Sequence, residues 1–141
     1  MNKSVLIIDG QGGQLGRQMV EAVRRLIPEA QITAVGTNAL ATSAMLRAGA
    51  DRGATGENSV IVCTRDADII VGPVGIVIAD SLLGEITPAM AVAVGQSPAK
   101  KILLPVNKCN NIIIGVDGKT TSELIEDAIA KIKSISEGCE R

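Results

Sequence analysis

An apolar run leads directly into four glycines and then into an amphipathic stretch: Val5-Leu6-Ile7-Ile8-Asp9-Gly10-Gln11-Gly12-Gly13-Gln14-Leu15-Gly16. Glycines permit a tight turn and let a ligand come close to the backbone. A helix that starts there offers free N–H groups and the positive end of its dipole to an anion. Gly10, Gln11, Gly12, Gly13, Gln14, Leu15 and Gly16 are therefore expected around the phosphates of a nucleotide or dinucleotide. The competing reading is a turn that only packs the first strand against the first helix. Asp9 complicates the first reading, because a carboxylate at the strand tip repels a phosphate. It could instead accept hydrogen bonds from turn amides, or hold a ribose hydroxyl or a hydrated Mg²⁺.

Three further loops belong to the same candidate site. Thr37 and Asn38 follow Gly36 where a dinucleotide-binding unit places a ribose-binding Asp or Glu; that carboxylate is missing, and Arg47 lies far along the next helix. Neither NAD nor NADP is singled out there, and helix capping is an equal alternative. Gly72, Pro73 and Gly75 either keep side chains out of a crevice or form a rigid turn. Asn107 closes the set. Cys109, next to Lys108, has no histidine to serve as its base, and a nucleophilic role is disfavoured. Asp80 and Glu85, flanking Ser81-Leu82-Leu83-Gly84, read as solvated loop charges.

The chain has 141 residues, 46% of them hydrophobic, and a net charge of −1. One domain with a real core is expected. Basic residues are scattered, so nucleic acid is not the expected partner. No His, Tyr, Trp or Phe occurs. His-based metal sites and triads are excluded, and no metal is assigned. Bases cannot stack on aromatic rings, so adenine would lie between aliphatic side chains. Cys63, Cys109 and Cys139 show no paired spacing, which fits reduced thiols in the cytoplasm. Asn2-Lys3 leads straight into the first strand, so no signal peptide is expected, and the longest apolar run, Ile69 to Ala79, is too short to cross a membrane.

The elements that must position these residues alternate. Strands are expected at Lys3–Ile8, Gln31–Val35, Asp51–Thr55, Asp68–Val71, Lys101–Pro105 and Asn111–Val116. Helices are expected from Gln14 to Ile27, from Thr37 or Asn38 to Gly49, over Ser59–Thr64, from Thr87-Pro88 to Gly95, and from the capping box Thr120-x-x-Glu123 to Ile135. Val74 to Ala79 is a further strand or a packed turn. The pattern predicts a single α/β domain, Rossmann-like, with a doubly wound and mostly parallel sheet of about six strands. Ligands of such sheets sit at the carboxyl ends of the strands, at the switch point.

Gly10, Gly13 and Gly16 give G-x-x-G-x-x-G, and Gly13-Gln14-Leu15-Gly16 resembles the extended short-chain dehydrogenase/reductase family over the first third of the chain. That resemblance implies NAD or NADP as cofactor. The family's catalytic Tyr with Lys four residues on is absent, which puts a reductase activity in doubt. Taken with Gly36-Thr37-Asn38-Ala39-Leu40-Ala41-Thr42-Ser43-Ala44-Met45, Gly53-Ala54-Thr55-Gly56-Glu57-Asn58 and Ile102-Leu103-Leu104-Pro105-Val106-Asn107, nearly the whole chain resembles a family of small, uncharacterised bacterial proteins with a Rossmann-like domain. This implies a stand-alone nucleotide-fold domain and no assigned activity.

The expected function is binding of NAD, NADP or another adenine nucleotide by a non-catalytic module or sensor. A small cofactor-dependent oxidoreductase, a Mg²⁺-dependent phosphate-handling enzyme using Asp9, and a structural subunit with an empty cleft remain alternatives. A homodimer is expected. The Ala-rich face of the second helix, the run Val74 to Ala79 and the Thr87 helix offer more apolar surface than one sheet needs.

Overall fold

The computed structural model describes residues 3–106 and 110–138. Val5, Leu6, Ile7 and Ile8 are apolar in succession, as a strand covered on both faces requires, and all four are buried in β1 (Ser4–Asp9). The chain continues through α1 (Gln14–Leu26), β2 (Gln31–Gly36), α2 (Ala39–Ala48), β3 (Arg52–Thr55), α3 (Glu57–Cys63) and β4 (Ile69–Pro73). A single 3₁₀ turn follows at Val74–Val77, then α4 (Pro88–Gln96), β5 (Lys100–Leu104) and α5 (Thr121–Ser136).

All strand pairs are parallel, and their order is β3-β2-β1-β4-β5. β1 is central, and the winding reverses between β1 and β4. One core layer joins β1, β2 and β4 to α1, α2 and α5 through Val5, Ile7, Met19, Val23, Met45, Ile129 and Ile132. The other places Leu6, Ile8 and Ile70 under α3 and α4 through Val60, Met90 and Val94. The α/β, doubly wound, single-sheet architecture expected from the alternation is the one observed.

Five strands form among the described residues, not six. Asn111–Val116 is β-branched and apolar but takes no strand, and Ile112 and Ile114 are both 88% exposed. A strand added in parallel beside β5 would need a crossover of a dozen or more residues, and the few residues after Leu104 cannot supply one. Val74 to Ala79 is the packed turn rather than a strand. The helix starts follow their caps: the Asn38 side chain accepts from Ala41 N–H, Thr87 from Met90 N–H, and Thr120 from Glu123 N–H. No helix among the described residues is long and apolar enough to cross a membrane.

Candidate functional site

β1 ends at the centre of the sheet, so its last residue sits beneath the glycine turn. Asp9 is 4% exposed. Its Oδ1 accepts from Gly10 N–H at 2.8 Å and its Oδ2 from Gly16 N–H at 2.7 Å. Both carboxylate oxygens thus bond to turn amides, one of the roles open to Asp9. It caps α1 from within and occupies an anion position at the helix start. Burial pushes the Asp9 carboxyl above its ordinary value, the bonds from Gly16 and Gly10 pull it down by less, and the Glu85 carboxylate pushes it up further.

The glycines of the turn have different neighbours. A Cβ on Gly13, where φ is +74°, would lie 2.8 Å from Ala41 Cα; one on Gly16 would lie 2.5 Å from Met45 Sδ and 2.9 Å from Asp9 Cβ. Both positions are closed by the protein's own α2 and β1. Gly12 is exposed, with nothing within 4 Å of its Cβ position. The N–H groups of Gly12, Gln14 and Leu15 have no acceptor among the described residues. Gly12 and Gln14 line a cavity of about 360 Å³ that runs between α1 and α2 and also takes in Arg17, Glu21, Leu40 and Arg47. Arg17 is held there by Glu21 at 2.8 Å. Arg47 therefore shares a groove with the turn despite its distance along the helix. Arg17 carries no motif and is found only through its place one helical turn beyond Gly13.

The crevice at the switch point is filled from the chain itself. Leu82 and Ile86 are buried there, and a Cβ on Gly10 would meet Thr37 Oγ1 at 2.6 Å, Glu85 Oε1 at 2.7 Å and Leu82 Cδ1 at 2.9 Å. Glu85 is not a solvated loop charge. It is half-buried, its Oε1 accepts from Gln11 N–H at 2.6 Å, and its Oε2 accepts from Asn38 Nδ2 at 2.8 Å. Asn38 Nδ2 also donates to Gln11 O at 2.9 Å, while its Oδ1 caps α2. Thr37 Oγ1 is buried with no partner.

The carboxyl-end loops thus bring Gly10, Gln11, Thr37 and Asn38 together. Gly72 and Pro73 end β4, where a Cβ on Gly72 would lie 2.5 Å from Ile8 O. Gly75 faces Ser81, whose Oγ would lie 2.8 Å from an added Cβ. Asn107 and Cys109 lie outside the described residues. Cys63 is partly buried under the second layer and lines a cavity of about 380 Å³ at the opposite, amino end of the sheet. Among the described residues no three His, Cys, Asp or Glu side chains are grouped to hold a metal ion.

The chain matches a family model described as a domain of unknown function (DUF3842) over residues 4–137. It belongs to that family. No curated protein matches it. Among solved structures it is similar to a dodecameric FMN-dependent UbiX-like decarboxylase from Escherichia coli O157:H7, at 14% identity and a TM-score of 0.45, over 100% of this chain and 96% of that one. The strand pairing described above, rather than this likeness, defines the fold of the DUF3842 chain.

Proposed function

We propose that the chain is a binding module for a phosphate-bearing small molecule, a nucleotide or dinucleotide, whose phosphate is taken by the outer side of the glycine turn. The open N–H groups of Gly12, Gln14 and Leu15 at the start of a 13-residue helix carry this reading, with Arg17 and Arg47 in the same groove. The ribose selectivity of NAD or NADP has no support at Thr37 and Asn38, since Asn38 is committed to the α2 cap and to Glu85. A general phosphate ligand fits this arrangement better than a nicotinamide dinucleotide. The filled-cleft alternative, a structural subunit, is favoured by Asp9 and Glu85 taking the places of ligand anions.

The absence of Trp and Tyr supplies the test. The desalted protein absorbs almost nothing of its own at 280 nm, so bound adenine dominates near 260 nm. Equilibrium dialysis against ADP, NAD and NADP is expected to retain ligand on the wild type. Gly12→Val is expected to lose that retention at an unchanged melting temperature, because the added side chain meets only open space that the phosphate needs. No retention by the wild type with any of the three at millimolar concentration would favour the structural subunit.

We also propose that the chain is a homodimer. Two of the three surfaces expected at its interface turn inward: Ala41 and Ala44 of α2 pack against the core, and Gly75 and Ile76 are buried. The Thr87 helix, α4, keeps Val92 53% exposed along an apolar groove of about 370 Å³ that also takes in Ile61, Ala89 and Pro98. Light scattering at high micromolar concentration is expected to give twice the chain mass, and Val92→Glu to give the single-chain mass with the fold intact. A monomeric wild type would remove this proposal.

A further inference from the structure

The segment between the 3₁₀ turn and α4 holds a backbone that its sequence does not favour. Asp80, Leu82 and Leu83 all adopt left-handed φ values of 65°, 55° and 56°, followed by Gly84 at 88°. Asp tolerates that region, but a leucine there crowds its Cβ against the following carbonyl. Two successive leucines in it are kept only by contacts that over-determine the loop. Those contacts lie at the base of the loop, where Ser81 and Ile86 are buried, Ser81 Oγ donates to Gly75 O, and Ile86 N–H donates to Ser81 O. Leu82 is buried against Gly10, whereas Leu83 is 96% exposed and is held by nothing. Backbone bonds close the loop on itself, Asp80 N–H to Ile86 O and Glu85 N–H to Leu82 O. Its polar tie to the glycine turn is Glu85, on Gln11 N–H and Asn38 Nδ2.

Glu85 stands where an anionic ligand group would stand. It takes a backbone N–H of the glycine turn and a side-chain amide from the loop after β2. Beside it Thr37 Oγ1 is buried without a partner, and a buried hydroxyl left unpaired is rare in a settled site. Its ideal partner is a group that enters when Glu85 leaves.

We propose that residues 80–85 form a strained gate over the crevice between β1 and β4, held shut by Glu85 acting as an internal substitute for a ligand anion. Withdrawal of Glu85 frees Gln11 N–H and one of the two bonds of Asn38 Nδ2, beside the already unpaired Thr37 Oγ1, and the left-handed leucines favour the open loop. The gate's competition with a ligand rests on the phosphate-binding reading, extended to a second anionic group of the same ligand that reaches past Gly12 to Gln11 N–H; the latch and the strain do not. Ligand and Glu85 exclude each other at Gln11, so weakening the latch must strengthen ligand binding by the same factor that it raises the open population.

Hydrogen exchange of the unliganded full chain tests the gate alone. Glu85→Ala is expected to speed exchange at residues 79–86 and at the Gln11 amide at least tenfold, with exchange in β1 and β4 unchanged. Leu83→Gly, which relieves strain at an exposed position, is expected to slow exchange of the same loop. Equal exchange in wild type and Glu85→Ala would overturn the gate. Dialysis against ADP tests the competition: tighter retention by Glu85→Ala than by wild type is expected, and equal retention would overturn it. Retention by neither would remove the phosphate-binding reading instead, with the gate decided by exchange.

Discussion

Replacing Asp9 with Ala is expected to destabilise the fold by about 2–4 kcal/mol, because Gly10 N–H and Gly16 N–H lose their acceptor in a buried site and each such orphan costs roughly 1–3 kcal/mol. The loss should appear in thermal unfolding as a drop of roughly 10 °C, at about 2–4 °C per kcal/mol for a chain near this size. Its pH dependence carries a definite sign. Burial raises the Asp9 carboxyl in the folded state, so the native chain keeps its proton to higher pH than the unfolded chain. Folded molecules then bind more protons in the window above the ordinary carboxyl value, and stability falls as pH rises through it. The difference in melting temperature between wild type and Asp9→Ala should be largest at the acid end and shrink toward neutrality. A difference that grows with pH would mean that the two N–H bonds outweigh burial, and a variant as stable as the wild type would remove the cap altogether.

Gly13→Val is expected to be the second large loss, about 3 kcal/mol or more. The left-handed backbone costs a β-branched residue on the order of 1–2 kcal/mol, and forcing its Cβ into a packed layer adds a further 1–3 kcal/mol or so. The neighbour is Ala41 Cα, a backbone atom that cannot swing aside. Gly12→Val, one residue earlier, is expected to melt with the wild type. Chemical denaturation of the pair reads this contrast directly. Equal stability of the two variants would show that α2 can retreat from the turn. Loss of ligand in Gly13→Val would therefore say nothing about phosphate, whereas loss in Gly12→Val would.

That pair also marks how far the sequence could be read. Spacing placed the glycines between strand and helix, and β1, α1 and α5 formed where apolar periodicity and caps put them. Spacing could not say what each glycine makes room for. Gly13 and Gly16 admit Ala41 and Met45, and the small residues of α2 were the visible sign of that close approach. Glu85 was illegible for a different reason. Its partners, Gln11 and Asn38, lie 74 and 47 positions away, and a carboxylate in a polar loop carries no local mark of a distant backbone N–H. Asn111–Val116 misled because strand propensity is local, whereas a place in a parallel sheet depends on the length of the crossover that leads to it.

The order β3-β2-β1-β4-β5 leaves two strands with one unpaired side each, and both are poor templates. β3 has four residues and opens on Arg52-Gly53; β5 opens on Lys100-Lys101. Short length and cationic side chains at a rim oppose the addition of a further strand from a neighbour. Continuous sheets through two copies, and the fibrils that grow from them, are thereby discouraged at both borders. Backbone pairing between copies is thus opposed at both borders, and the proposed homodimer is left to side-chain contact between helices.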